Sequence, residues 1–446
     1  MDKQMKFRFW VLISIVAISG FSQGMLLPLI AVIFEGDGLS SSHNGLNAAG
    51  LYIGILLVSP FMEDPLRKFG YKPIIIGGGL LVILALVLFP LWKSFWFWFA
   101  LRMLVGIGDH ALHFGTQTWI TSFSPESKRG RNISLYGLFF GLGFAVGPMM
   151  TPLVKVNESL PFIVSSLLCL AAWVFLFILK NEYPEQTMEV SSFRSTMSRF
   201  KKATKYGWVA FLPPLGYGFL EASLNGSFPV YGLRNGIDVT SVSILLTSFA
   251  IGGIVFQLPL GILSDKYGRR KVLLMILLLG FVSFTAAGFL EAYIPALTAV
   301  LFIAGMVVGS TFSLGISYMT DLMPRKYLPT GNLLCGVAFS IGSLAGPYTG
   351  GIFIELFENI SFFMIISFIL LFIFLVILFY GKEKEALSPY TLNRFTYFFP
   401  KHKLYGKIKI NQIGKFCFQT STTAVISQDD SFRRFNGEMM LIIVIN

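Results

Sequence analysis

Apolar residues along this chain fall in blocks of helix-spanning length, parted by short polar stretches. A bilayer core about 30 Å thick needs roughly 20 apolar residues in a helix. Twelve blocks meet that size, near residues 9–34, 45–62, 73–92, 95–122, 133–155, 160–180, 207–232, 240–262, 271–290, 295–320, 330–354 and 360–380. They predict an all-α integral membrane protein with twelve transmembrane helices joined mostly by hairpin-length loops. The first block imitates a secretory leader, but it is too long and no small-residue cleavage pattern closes it, so it reads as the first span.

Two stretches break the pattern. Residues 181–206 place Phe193, Met197 and Phe200 at i, i+4 and i+7 among Arg and Lys, which fits a basic amphipathic helix on the cytoplasmic surface. A solvated linker is the alternative. Residues 381–446 hold no span-length apolar run, and the closing MMLIIVIN is too short to cross a bilayer. They read as a poorly ordered cytoplasmic tail. The chain thus divides into a six-span half at 1–180, the linker at 181–206, a second six-span half at 207–380, and the tail.

The halves repeat. Pro125 stands 23 residues before Pro148, and Pro324 stands 23 before Pro347. Gly70 in RKFGYK and Gly268 in DKYGRRK are 198 positions apart, and the same offset sets Gln23 of the first span against Glu221 of the seventh. A parallel repeat of six spans is a secondary-transporter architecture.

Composition agrees with this. The 446 residues are 54% hydrophobic and 13% charged, with a mean hydropathy of +0.70, whereas soluble domains carry about a quarter charged residues. The net charge of +12 could suggest a nucleic-acid partner. Its placement excludes that: twenty-one basic residues fall in segments on one side of the spans and three on the other. Such a bias puts both termini in the cytoplasm of a multi-pass cell-membrane protein. The three cysteines are scattered, so neither a disulfide framework nor a metal site is expected, and no cofactor is called for.

The sharpest motif is GILSDKYGRRK. Gly261 ends the eighth span, Asp265 and Gly268 shape a tight turn, and Arg269 and Arg270 open the ninth. It closely resembles the loop signature of the major facilitator superfamily, G-x-L-x-D-x-x-G-R-[RK], which recurs there between spans two and three. The first-half copy, EDPLRKFGYK, departs from it: Arg67 stands at the aspartate position and Glu63 at the first glycine. In the family that aspartate latches the halves together; here Glu63 and Asp64, one turn earlier, are the candidates to replace it. Arg102 with Gly106 and Gly108 is similar to the family's fourth-span pattern. Gly147 and Pro148 in GFAVGPMM resemble the fifth-span signature of bacterial drug/proton antiporters, and Gly346 and Pro347 repeat it in the eleventh span. Any Gly-Pro helix can also be a packing kink.

An ionisable side chain at the bilayer centre costs at least about 2.5–3.5 kcal/mol, which marks each as a site candidate. In the fourth span, GDHALHFGTQ puts Asp109 near the midpoint. At about 100° per residue, Arg102, Asp109, His113 and Thr116 share a face, while His110 points away. Asp109 and His113, at i and i+4, can touch. Such a set can change charge as protons come and go. The alternative is a structural Asp109–Arg102 or Asp109–His113 pair. Glu221 is the second lone carboxylate, near the midpoint of the seventh span. The resemblance implies a central cavity lined by spans one, four, seven and ten, on which Gln23, Asp109, His113 and Glu221 would converge, with Met306 and Phe312 as an apolar wall.

Taken together, the resemblance implies a secondary transporter: a proton-coupled exporter of small amphipathic or lipophilic compounds, expected as a monomer among membrane lipids. Symport of a sugar, nucleoside or organic acid, lipid flipping, and a non-transporting sensor or scaffold are the alternatives. The absence of a P-loop argues against ATP as energy source. No serine or cysteine nucleophile stands beside Asp109 and His113, so an intramembrane enzyme is disfavoured.

Overall fold

A computed structural model describes residues 3–184, 193–324 and 327–381. The expected tail, apart from Gly381, lies outside the described residues, as do the side chains of Phe193 and Met197 on which the amphipathic reading rested. Among the described residues all regular structure is helical. The first six spans are Lys3–Gly36, Ser41–Val58, Tyr71–Leu88, Phe95–Phe123, Glu126–Val146 and Leu160–Val174. The helix Phe193–Gly207 leads into the seventh span, Leu212–Gly226 continued by Phe228–Arg234. The eighth and ninth are Val239–Tyr267 and Arg269–Phe289. The tenth joins Ile294–Val308 to Thr311–Leu322, and Leu328–Leu356 and Phe363–Tyr380 complete the twelve.

Ten of these are long and apolar enough to cross a bilayer on their own. The two that fall short are the fourth, which carries Arg102, Asp109 and two histidines, and the seventh, which is interrupted at Ser227 and carries Glu221. Helices that give up apolar character are the ones with polar work to do inside the bundle.

Lipid tails are as apolar as leucine, so burial alone does not pull spans together and close backbone packing must. Buried apolar residues of spans seven to twelve form one continuous core, and those of the first half form two. Between the halves, the second span packs on the eleventh and the fifth on the eighth. The second and eleventh meet backbone to backbone. A Cβ on Gly45 would lie 2.0 Å from the Pro347 carbonyl oxygen, and one on Gly351 would lie 2.2 Å from that of Ser41.

This contact lies at the end of the bundle remote from the N-terminus, here termed the far end. Among the described residues, three polar links cross between the halves there. Arg234 grips Glu35 with two bonds, Nε–Oε1 at 2.7 Å and Nη2–Oε2 at 3.1 Å. Lys155 reaches Asp238 at 3.4 Å, and the Ser42 amide and hydroxyl donate to Glu355 at 2.9 and 3.0 Å.

The opposite end carries the basic loops. Gly70 and Gly268 both sit at positive φ (84° and 96°), where a side chain would be strained, and each starts the next helix. Two residues on, Lys72 donates to the carbonyls of Phe177 and Leu179 (3.0 and 2.7 Å), at the end of the sixth span. Arg270 does the same for Ile377 and Leu378 (3.2 and 2.9 Å), at the end of the twelfth. A cation on the orphan carbonyls of a helix C-terminus is favourable twice, by hydrogen bond and by dipole.

Between these capping contacts the halves diverge. Arg269 binds Asp321 (3.0 Å), Thr320 (2.7 Å) and the Ser317 carbonyl (2.8 Å), and lies 3.5 Å from Asp265. Its first-half counterpart Tyr71 instead stacks on Trp119 at 5.6 Å. Glu63 pairs with Arg67 within its own short helix at 3.6 Å. The acid that fastens the first-half loop region is Glu182, past the sixth span: it pairs with Arg8 at 2.5 Å, accepts from Trp119 Nε1 at 2.8 Å, and its carbonyl accepts from the Tyr71 amide.

Candidate functional site

Asp109 sits halfway along the fourth span with its side chain 3% exposed. Both carboxylate oxygens are occupied by donors from the first span, the Ser19 hydroxyl on Oδ1 and the Gln23 amide on Oδ2. Ser19 and Gln23 are four residues apart, so one face of the first span presents both. His113, one turn along from Asp109, brings Nε2 within 3.7 Å of Oδ1 and 3.1 Å of Ser19 Oγ. Its Nδ1 bonds the Tyr136 hydroxyl of the fifth span, and its ring stands edge-on to Phe140 at 4.8 Å.

This arrangement has a definite chemical capability. Neutral donors hold the carboxylate, and no lysine or arginine lies within ion-pair distance of it among the described residues. Ser19 can donate to an ionised Asp109 and accept from a protonated one, whereas the Gln23 amide nitrogen can only donate. Asp109, Ser19, His113 and Tyr136 form a continuous hydrogen-bonded path across three spans. Against Asp109, Ser19 and Cys169 lies a small cavity of about 20 Å³, walled by apolar residues such as Val82, Leu112 and Trp173. That is space for one water molecule, which needs about 10–15 Å³.

The structure divides the residues that the sequence groups together. Gln23, Asp109 and His113 meet, and Asp109 points between the first, third, fourth and sixth spans. Arg102, on the same helical face, turns away towards the far end and donates to the Leu26 carbonyl at 3.4 Å. It is 2% exposed, and its Nε and Nη1 have no hydrogen-bond partner among the described residues. His110 lies outside the network, its ring stacked beside Phe114. Glu221 forms a separate locus in the second half, 3.5 Å from the Tyr217 hydroxyl. Tyr52 of the second span lies within electrostatic range of both Arg102 and Glu221.

The glycines of the fifth-span motif serve contact with the first span. A Cβ on Gly147 would lie 2.5 Å from the Met25 amide nitrogen, and Pro148 begins a tighter 3-10 turn, Gly147–Lys155. In the eleventh span Gly346 faces Phe219 and Ser223 of the seventh, and the Pro347 carbonyl accepts from the Ser227 hydroxyl at 2.8 Å. Gly261 has open space around its Cβ direction.

Sequence reasoning passed over Ser19 and Tyr136. Ser19 carried a usable signal, a hydroxyl one helical turn before Gln23 on an otherwise apolar span. Tyr136 carried none, since a tyrosine in an aromatic-rich helix looks like any other core residue.

Comparison with known proteins agrees with this architecture. The Major Facilitator Superfamily family model matches residues 12–235 and 215–427. An uncharacterized MFS-type transporter of Bacillus subtilis (strain 168), YfkF, is 57% identical over 381 residues, covering 85% of this chain and 97% of that one. Multidrug resistance protein 1 of the same organism is 25% identical over 361 residues, covering 79% of this chain and 91% of that one. A solved bacterial homolog of the human lysosomal transporter Spinster, in an inward-facing, occupied conformation, shares the fold with a TM-score of 0.66 at 14% identity, covering 85% of this chain and 97% of that one. The twelve spans, the repeated halves and the glycine-hinged loops are those of a transporter, and the chain belongs to the major facilitator superfamily.

Proposed function

We propose that this transporter exports small amphipathic or lipophilic compounds in exchange for protons, with Asp109 as the proton site. The observation that carries the reading is the Asp109 carboxylate, buried and held by Ser19 and Gln23 from the first span with no lysine or arginine partner among the described residues. A buried acid held only by neutral donors can gain or lose a proton without breaking an ion pair. Loading it changes the bonding between the first and fourth spans. The likeness to a protein named for multidrug resistance supports the class of compound and the outward direction.

In this reading the basic end faces the cytoplasm of a cell-membrane protein, both termini included. The far-end contacts of Gly45, Gly351, Glu35 and Arg234 then close the external side, and rocking the halves would open it. Arg102, buried and two-thirds unpartnered here, would regain water or a partner in the externally open state. The protein works as a monomer, with protons and the exported compound as its small-molecule partners and lipid around it.

The test is proton release in proteoliposomes with a trapped pH dye, on addition of lipophilic cations, neutral drugs or sugars. Wild-type protein is expected to move protons on addition of an exported compound, and Asp109→Asn is expected to abolish that signal. Wild-type release in Asp109→Asn would overturn the assignment. Uptake driven by an inward proton gradient would replace export with symport.

A further inference from the structure

We infer that Glu291 is a pH-responsive clasp at the far end, joining the end of the seventh span, the turn between the ninth and tenth, and the start of the twelfth.

Each half carries one such tie. In the first half Lys93, between the third and fourth spans, donates to Asp37 at 2.7 Å and to Glu158 at 2.9 Å, in the connections that follow the first and fifth spans. Glu291 stands 198 positions later, at the offset of the repeat. There the central charge is inverted and the partners are neutral. The Tyr231 hydroxyl donates to Oε2 at 2.7 Å, and the Ser361 hydroxyl donates to Oε1. Ser361 also accepts from the Phe363 amide at 3.2 Å, so through it the carboxylate reaches the first turn of the twelfth span. Gly288 of the ninth span leaves the room for this, since a Cβ there would lie 2.9 Å from Ser361 Oγ.

No lysine, arginine or histidine lies within ion-pair distance of Glu291 among the described residues. The packed elements bring few other ionisable groups: Arg234 on the seventh-span end, spent on Glu35, the exposed Tyr293 before the tenth span, and the exposed Glu358 before the twelfth. An ionised Glu291 accepts from both hydroxyls but is half-buried without a counter-charge. A protonated one still accepts on one oxygen and donates from the other, and either hydroxyl can receive that bond. Neutralisation thus removes the cost of the buried charge and keeps the tie.

Burial pushes the Glu291 carboxyl above its ordinary 4.5, and the bonds from Ser361 and Tyr231 offset only part of this. The clasped form is therefore fully favoured below 4.5 and loses that advantage as pH rises from there through the raised value. The first-half tie behaves differently. Burial acts to lower Lys93, but its bonds to Asp37 and Glu158 outweigh that and hold the ammonium above its ordinary 10.5. Its centre stays charged where the centre of the second-half tie titrates. With the far end facing outside, as in the export reading, acid outside stiffens the outer connections of the second half and leaves the centre of the first-half tie unchanged.

The test is amide hydrogen exchange of purified full-length protein in detergent from pH 4.5 to 8, corrected for the intrinsic pH dependence of exchange. Mass spectrometry would follow peptides spanning 228–237, 288–296 and 357–366. Exchange reports rare local openings that a mean label distance does not resolve. In the wild type, opening of the three segments is expected to rise together, by up to about tenfold per pH unit above 4.5, and to level off above the raised value. Glu291→Gln, neutral at every pH and still able to accept and donate, should stay protected without that rise. Tyr231→Phe removes a donor to the ionised form and should move the levelling-off to higher pH. A thermal melt of each variant reports folding, and Tyr231→Phe carries the test should Glu291→Gln fail to fold. A flat wild-type profile, a rise in one segment alone, the wild-type slope in Glu291→Gln, or an unmoved levelling-off in Tyr231→Phe would each overturn the clasp. None of these measurements involves transport, so failure of the export reading and failure of the clasp are separate outcomes.

Discussion

Arg234 closes on Glu35 through two near-parallel bonds of 2.7 and 3.1 Å, joining the end of the seventh span to the end of the first across the two halves. Fork-to-carboxylate geometry is the strongest form of such a pair, yet both partners keep some exposure (37% and 16%). Its worth is therefore about 1 kcal/mol, or roughly fivefold in the ratio of closed to open far end. Arg234→Ala is expected to lengthen the distance between spin labels at Asn157 and Asn359, exposed positions in opposite halves at that end. An unchanged distance distribution would remove the pair from the closure.

Gly45→Ala should act more severely. Its new methyl would sit 2.0 Å from a backbone oxygen, and backbone in a helix cannot swing aside as a side chain can. The same labels should report a far end that no longer closes, with transport reduced by about tenfold or more. Gly77→Ala, with nothing within 4 Å of its Cβ direction, is the matched control and should behave as wild type.

The Lys155–Asp238 link depends on pH in a definite direction. The Ser241 hydroxyl above all, with the Thr240 and Ser241 amides and Lys155, holds the Asp238 carboxyl down at about 2. A depressed carboxyl contributes its stabilisation above its ordinary value, 3.8, and loses it as pH falls through the depressed one. Label distances should stay constant from neutral pH to about 4 and lengthen only as pH falls further. Asp238→Asn should keep part of the helix cap but lose the Lys155 pair at every pH.

Within the proton network, Ser19→Ala removes the hydroxyl that touches both Asp109 and His113. A hydrogen bond to a charged group contributes about 1.5–3 kcal/mol, so substrate-induced proton release should fall about ten- to a hundredfold. Tyr136→Phe should cost less and displace the pH profile of transport, because its hydroxyl meets His113 on the far nitrogen and the backbone carbonyl and does not touch Asp109. His110→Ala, outside the network, should fall within twofold of wild type.

At the basic end, Arg8 lies 12% exposed between Glu182 and the face of Trp119. Arg8→Ala should lower the thermal midpoint by about 2–4 °C, as a loss near 1 kcal/mol does for a domain of this size. An unchanged midpoint would mean that the first-half loop region is fastened elsewhere.

Ten of the spans were legible because length and apolarity alone define a bilayer helix, and the repeat was legible because Gly70 and Gly268 take the same kind of positive-φ turn. Asp109 and Glu221 stood out for a single reason, the expense of a carboxylate among apolar residues. Helical periodicity assigned Asp109, His113 and Arg102 to one face, but a face does not name its neighbour. Only the packing of the first span turned Asp109 towards Ser19 and Gln23 and left Arg102 on Leu26. The Glu182–Arg8 contact joins residues 174 positions apart, and nothing local announces it.

Lys72 and Arg270 each tie the start of one span to the finish of another three spans later in the same half. Mechanically these are braces set at the base of two levers. A lever that does not flex at its base delivers its full travel to the tip, and here the tips are the ends where Glu35 meets Arg234. Loosening either brace would let the same push be absorbed as bending before it reached that contact.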